Sequence, residues 1–340
     1  EACGITNEWD SGAICVSTLL DAALVADPGL RRATLDETLA AIQGARPRLE
    51  RPDYAALARR ILDTTPDQDS VPAARYLALL SERANAGWLP LLAALLADVY
   101  TTATPTTSVF QAHTLGSARY TATYGAPPPI QRPSYLAEYD TPLLSAGSRE
   151  RLLAWSRQPG HGAAIFTARP SLPPAGEPDS PANGYAPEAE LAMERIGLDG
   201  QLPLIGQGRV AWLAHRRGRG AAAYIKPSPV QALAAIGAAI SGDERAALRA
   251  AAALAEDGQL EDPLASLRGQ HVSVTVFEDA TGGIRAVQTA ARLLREAGLD
   301  VHPRAIGVSP HPDKRAALAP LAERVVDDVN AGLALVWGEA

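Results

Sequence analysis

The chain has 340 residues, 47% of them apolar, and a formal net charge of -7. That length exceeds one typical core and suits two domains. The apolar share excludes a disordered chain, and the acidic balance argues against a nucleic-acid groove.

No apolar run approaches the roughly 18 residues of a membrane span, and no signal-peptide pattern opens the chain. Cys3 and Cys15 are the only cysteines. They form neither a metal pattern nor a disulfide framework, so a reducing cytoplasm is expected, with no membrane and no nucleic acid as partner. The single methionine is Met193, so residue 1 is not a translation start and an upstream portion is expected. Only Lys226 and Lys314 are lysines; every other basic residue is Arg. A GC-rich genome would by itself produce such a bias. A lysine kept against it still hints at a site that wants a compact point charge.

Residues 1–100 read as helices. Ile14, Leu19, Ala22 and Ala23 lie near helical spacing, and Asp53 can cap a helix through Tyr54, Leu57, Ala58 and Ile61. Val71 to Val99, with Tyr76, Leu80, Leu91 and Leu95, reads as a helical hairpin interrupted near Asn85 and Gly87. Residues 101–143, rich in Thr, Pro and Tyr, read as a long connection with one short helix, packed down by Tyr120, Tyr124, Tyr135 and Tyr139; the alternative is that these tyrosines line a pocket.

From 144 the texture alternates. Ser148 can cap a helix through Trp155. Short apolar strands are expected at 163–166, 202–206, 221–225, 272–277, 301–308 and 324–326. Helices are expected at 187–196 with Gly197 as stop, at 209–217, at 229–240 and at 243–255. Strands separated by helices mean βαβ units and a parallel sheet, an α/β fold. The proposed division is 1–143, mainly helical, and 144–340, a Rossmann-like core.

The clearest stretch is His271 to Ala291. Val272, Val274 and Val276 alternate with polar and aromatic residues, then Glu278 and Asp279 follow. Gly282 and Gly283 open a helix with Ile284, Val287, Ala291 and Leu294 on one face. Ligands of open α/β sheets sit beyond the carboxyl ends of the strands. Two adjacent acids there suit Mg²⁺, which prefers oxygen ligands and phosphate company. Thr167 and Lys226 end two other expected strands. Right-handed crossovers gather such ends on one edge, where a hydroxyl and an ammonium can hold a phosphoryl group beside a metal.

In this order the residues resemble the haloacid-dehalogenase-like (HAD-like) phosphohydrolase superfamily, in its IA-type branch. Thr167 in IFTARPS resembles its second motif, Lys226 in YIKPSPVQAL its third, and VFEDATGGIRAVQTA its fourth. The opening GITNEWDSGAICVSTLL resembles the start of that branch's helical cap. The resemblance implies Mg²⁺-dependent hydrolysis of a small phosphomonoester through an aspartyl-phosphate. It makes Thr167 and Lys226 catalytic and Glu278 and Asp279 metal ligands. Arg169, Asn7 and Trp9, with Asp10, become candidates for substrate contact. The alternative for Arg169 is pairing with a surface acid, and for Trp9 packing the hinge between cap and core. The first motif, Asp-x-Asp at a strand end, is not found, so the nucleophile is expected upstream; the alternatives are an inactive phosphate-binding member and a sugar phosphomutase. In the family that first strand lies between those carrying Thr167 and Glu278. The flanking strands should therefore either receive such a strand or close directly on each other. His161, His215, His271, His302 and His311 show no ligand spacing and receive no role.

Overall fold

Asn7 begins the first helix for a local reason: its side-chain carbonyl accepts the N–H groups of Trp9 and Asp10, two of the free donors of a helix start. In the computed structural model, which describes residues 5, 7–63, 71–82, 87–177 and 184–338, the chain divides into two units. One takes Glu1–Tyr135 with Ser180–Tyr185, the other Leu136–Asp179 with Ala186–Ala340.

The first unit is helical: α1 (Glu8–Ala26), α2 (Leu35–Ala45), α3 (Tyr54–Asp63), α4 (Pro72–Ser81), α5 (Leu89–Leu96), α6 (Pro105–Leu115) and α7 (Ser117–Tyr124). Asp53 caps α3 through the Ala56 N–H. Ile14, Leu20 and Leu24 of α1 pack with Tyr76, Leu80, Leu92 and Leu95 in one buried cluster. Each such side chain contributes about 1.5–3 kcal/mol when fully removed from water. Among the described helices α1 is long and apolar enough to cross a membrane, contrary to the sequence reading. Half of its most apolar window is buried, and Asp10 and Asp21 accept hydrogen bonds from Tyr100 and Trp88. That is how a core helix is built.

The stretch 101–143 differs from the expected connection. It carries α6, α7 and α8 (Tyr135–Tyr139), the last lying at the division between units. Thr104, Thr106 and Thr107 give their hydroxyls to the carbonyls of Ala97, Leu95 and Val99. Pro105 stands at a helix start, where its missing N–H costs nothing. The rings of Tyr120 and Tyr124 meet at a tilt, their centres 4.8 Å apart, and Tyr120 is buried.

The second unit is α/β. Its helices are α9 (Ala146–Ser156), α10 (Glu188–Ile196), α11 (Gln207–Arg216), α12 (Pro229–Ser241), α13 (Glu244–Asp257), α14 (Thr281–Glu296), α15 (Pro312–Leu318) and α16 (Val329–Val336). Its strands are β1 (Ile165–Phe166), β2 (Leu204–Ile205), β3 (His271–Glu278), β4 (Asp300–Val308) and β5 (Arg324–Val326). All pairings are parallel: β1 with β2 in one small sheet, and β3–β4–β5 in another. β1 and β3 have neither closed on each other nor gained another strand among the described residues. Helix α12 packs against β1 and β2 on one side of this division and against α14 on the other. Gly237 lets α13 approach, since a Cβ there would meet Ala247 at 3.0 Å.

Two local expectations are corrected. Residues 221–225 are no strand: Ala221–Ala223 form a 3-10 turn, with the Tyr224 and Ile225 N–H groups donating back to Ala221. A run led by three alanines offers few β-branched side chains to a sheet. Ser148 is no cap either; its N–H is capped by Ser145, one helical turn earlier. Gly197 and Asp243 do terminate and start helices, Gly197 in the left-handed region at φ 70°.

Candidate functional site

The carboxyl ends of β1 and β3 meet at one side chain. Lys226 Nζ donates to Glu278 Oε2 at 2.8 Å and lies 5.0 Å from the centre of the Phe166 ring. Phe166 is the last residue of β1, directly before Thr167. Lys226 and Glu278 are both well shielded, their side chains 15% and 5% exposed. Thr167 Oγ1 accepts the Arg169 N–H at 3.1 Å, folding the chain back after the strand.

Two residues without an assigned role hold this geometry. Gln231, fully buried on α12, donates its amide to the carbonyls of Thr167 and Ile205 at 2.8 and 2.9 Å. Its own oxygen accepts the Lys226 N–H at 3.0 Å. One amide therefore joins the ends of β1 and β2 to the backbone of the lysine. Gly283 makes room for the acid: a Cβ there would lie 1.9 Å from Glu278 Oε2.

Asp279 takes the second lysine, its Oδ2 accepting from Lys314 Nζ at 2.8 Å. Both lysines of the sequence thus pair with the two adjacent acids. The acids stand in different surroundings. Burial pushes the Glu278 carboxyl above its ordinary range, against the pull of Lys226. At Asp279 partial burial works in the same direction, but Lys314 overrides it and the group is held below its ordinary range. Asp279 is therefore the ionised, accessible oxygen donor, and Glu278 the anchor of a buried ammonium. An exposed carboxylate beside open solvent fits Mg²⁺, which keeps several waters and binds through one or two carboxylates.

The remaining candidates lie elsewhere. Arg169 reaches Asp140 at 3.4 Å, a half-exposed surface pair. Asn7 is the cap of α1 and Trp9 is buried against Tyr100, with ring centres 5.8 Å apart, both inside the helical unit. Asp10 is buried there as well, accepting from the Ala73 N–H and the Tyr100 hydroxyl. No family model, curated protein or solved structure matches the chain.

Lys314 was recoverable from the sequence as the other lysine, placed just beyond a strand end. Gln231 and Gly283 carry no such mark: their roles depend on which backbone groups the fold brings to them. His271 and His302, left without a role, come together at the opposite end of β3 and β4.

Proposed function

We propose that the α/β unit is a Rossmann-like, HAD-like core with the helical unit as its cap, and that its carboxyl edge handles the phosphoryl group of a small phosphomonoester. The observation that supports this best is the shielded Lys226, held by Glu278 beside the residue that precedes Thr167. A buried ammonium is costly unless compensated, and here it stands where strand ends converge. An incoming phosphoryl group would accept from Lys226 Nζ and the Thr167 hydroxyl. Asp279 would hold Mg²⁺, which supplies charge neutralisation at the phosphoryl oxygens. Glu278 would keep Lys226 oriented, and Lys314 would keep Asp279 ionised.

Hydrolysis then proceeds in two displacements. A carboxylate oxygen bonds to phosphorus as the ester oxygen leaves and takes a proton, and water cleaves the resulting acyl phosphate. Among the described residues no strand ends in an Asp-x-Asp pair for this step, so turnover needs a carboxylate brought to Lys226 from another segment.

The test is calorimetric titration with inorganic phosphate, with and without Mg²⁺, alongside a phosphatase assay on p-nitrophenyl phosphate. Phosphate binding strengthened by Mg²⁺ and abolished by Lys226→Ala and by Asp279→Asn is the expected result. Lys226→Arg should not restore it, because a planar fork does not replace a point charge in a tight site. Binding without turnover would reduce the reading to a phosphate binder. Binding unchanged in the Lys226 variants would overturn it.

A further inference from the structure

The amino ends of β3 and β4 carry a second cluster, seven residues along β3 from Glu278, or roughly 23 Å at strand rise. In the parallel register His271 pairs with Asp300 and Ser273 with His302. Side chains two apart on a strand share a face, so His271, Asp300 and His302 project together. The Asp300 carboxylate is bonded on both sides, Oδ2 to His271 Nδ1 at 2.8 Å and Oδ1 to His302 Nε2 at 2.7 Å. The two imidazole rings are 4.5 Å apart. One nitrogen from each ring and a carboxylate oxygen lie within 4.8 Å of one another.

We propose that His271, Asp300 and His302 form a surface site for a divalent transition-metal ion of the Zn²⁺ class. Two imidazole nitrogens and one carboxylate oxygen are a three-ligand set that leaves a position for water. Imidazole selects such ions over Mg²⁺, which wants oxygen throughout. Ligands about 2.0–2.1 Å from zinc stand about 3.3 Å apart at tetrahedral angles. Closing the cluster from within 4.8 Å therefore takes a change of at most about 1.5 Å between exposed side chains. The strands themselves are fixed by the ladder, which makes a site more exact than one on loops.

This site is independent of the phosphoryl reading, and the experiment keeps them apart. The 340-residue chain is titrated with ZnCl₂ by calorimetry, with MgCl₂ as control. One Zn²⁺ per chain is expected at this cluster. His271→Ala and His302→Ala should each weaken it at least tenfold, since even outer-shell partners are worth about 10–100-fold. Asp279→Asn should leave it unchanged. All three ligands are exposed, so the variants keep the fold, as circular dichroism would verify. No saturable Zn²⁺ binding, or binding that survives both histidine substitutions, would overturn the proposal. Binding lost with Asp279→Asn instead would place the ion at the other edge and overturn it equally.

Discussion

Replacing Gly283 by alanine should destabilise the α/β unit, although propensity alone says the opposite. Gly283 is the third residue of α14, and Ala exceeds Gly in a helix by about 1 kcal/mol. The added methyl carbon would stand 1.9 Å from Glu278 Oε2 and 2.3 Å from its carboxyl carbon, so the carboxylate must leave. It leaves behind Lys226, shielded and without its partner. Breaking a buried ion pair from one side costs about 3–5 kcal/mol. With Lys226 still 15% exposed, the lower end, about 3 kcal/mol, is appropriate. Set against a propensity gain of about 1, the net expectation is about 2 kcal/mol of destabilisation. Urea unfolding read through Trp155, Trp212 and Trp337 would follow this unit, while Trp9 and Trp88 report the helical one. The control is the same substitution in a Glu278→Ala background, where the colliding atoms are gone and Gly283→Ala should become neutral or slightly stabilising. Such a double-mutant cycle isolates the coupling. A Gly283→Ala protein as stable as the parent would refute both the packing and the role given to Glu278.

Gln231→Leu, close in size, removes the partners of the Thr167 carbonyl and the Lys226 N–H. Each orphaned group costs about 1–3 kcal/mol, so a loss of about 2 kcal/mol or more in chemical denaturation is expected, with weaker phosphate binding. Asp279 is held below its ordinary value of 3.8. Its contribution to stability is complete above the unfolded value and is lost as pH falls through the lower, folded one. Asp279→Asn, or Lys314→Met, should therefore flatten the acid limb of a stability–pH curve between those two values.

The parts of the fold that were legible in the sequence are those encoded locally. Alternating Val272, Val274 and Val276 produce β3, Gly197 and Asp243 mark helix ends, and the clustered Leu residues near position 90 produce a helix. What was illegible depends on partners far along the chain. Ala221–Ala223 reads as apolar but pairs with no strand among the described residues, and closes on itself by short-range bonds. The Thr-rich stretch after 100 reads as a connection because Thr hydroxyls compete for the backbone groups of a helix. In the fold they are used by carbonyls of the preceding turns instead. Within the site, Lys226 stands out by rarity, although the strand expected to end at it is a 3-10 turn, and the two acids stand out by their position at the end of β3. Gln231 is an ordinary polar residue until three backbone groups surround it. The two histidines are 31 residues apart in sequence, and only the parallel register of β3 on β4 makes them neighbours.

The two sheets raise a last question, which amide exchange answers. In a parallel pair, a strand sends alternate backbone groups to each side. β3 bonds to β4 on one side only, and no described strand lies along its other edge. What joins that edge region to β1 is not a ladder but the Lys226–Glu278 pair and the helix carrying Gln231. Amide protection along Val272–Phe277 should therefore alternate: N–H groups donated to β4 exchange slowly, and those between them exchange fast. Val272 and Val274 are only partly buried, so water can reach the edge. An open edge of this kind is also a template for an added strand. If such a strand brings a carboxylate to Lys226, the alternation should disappear as the fast amides acquire partners, and phosphatase turnover should appear with it. Uniform protection in the 340-residue chain alone would mean that β3 is already paired on both sides, and would refute the two-sheet arrangement itself.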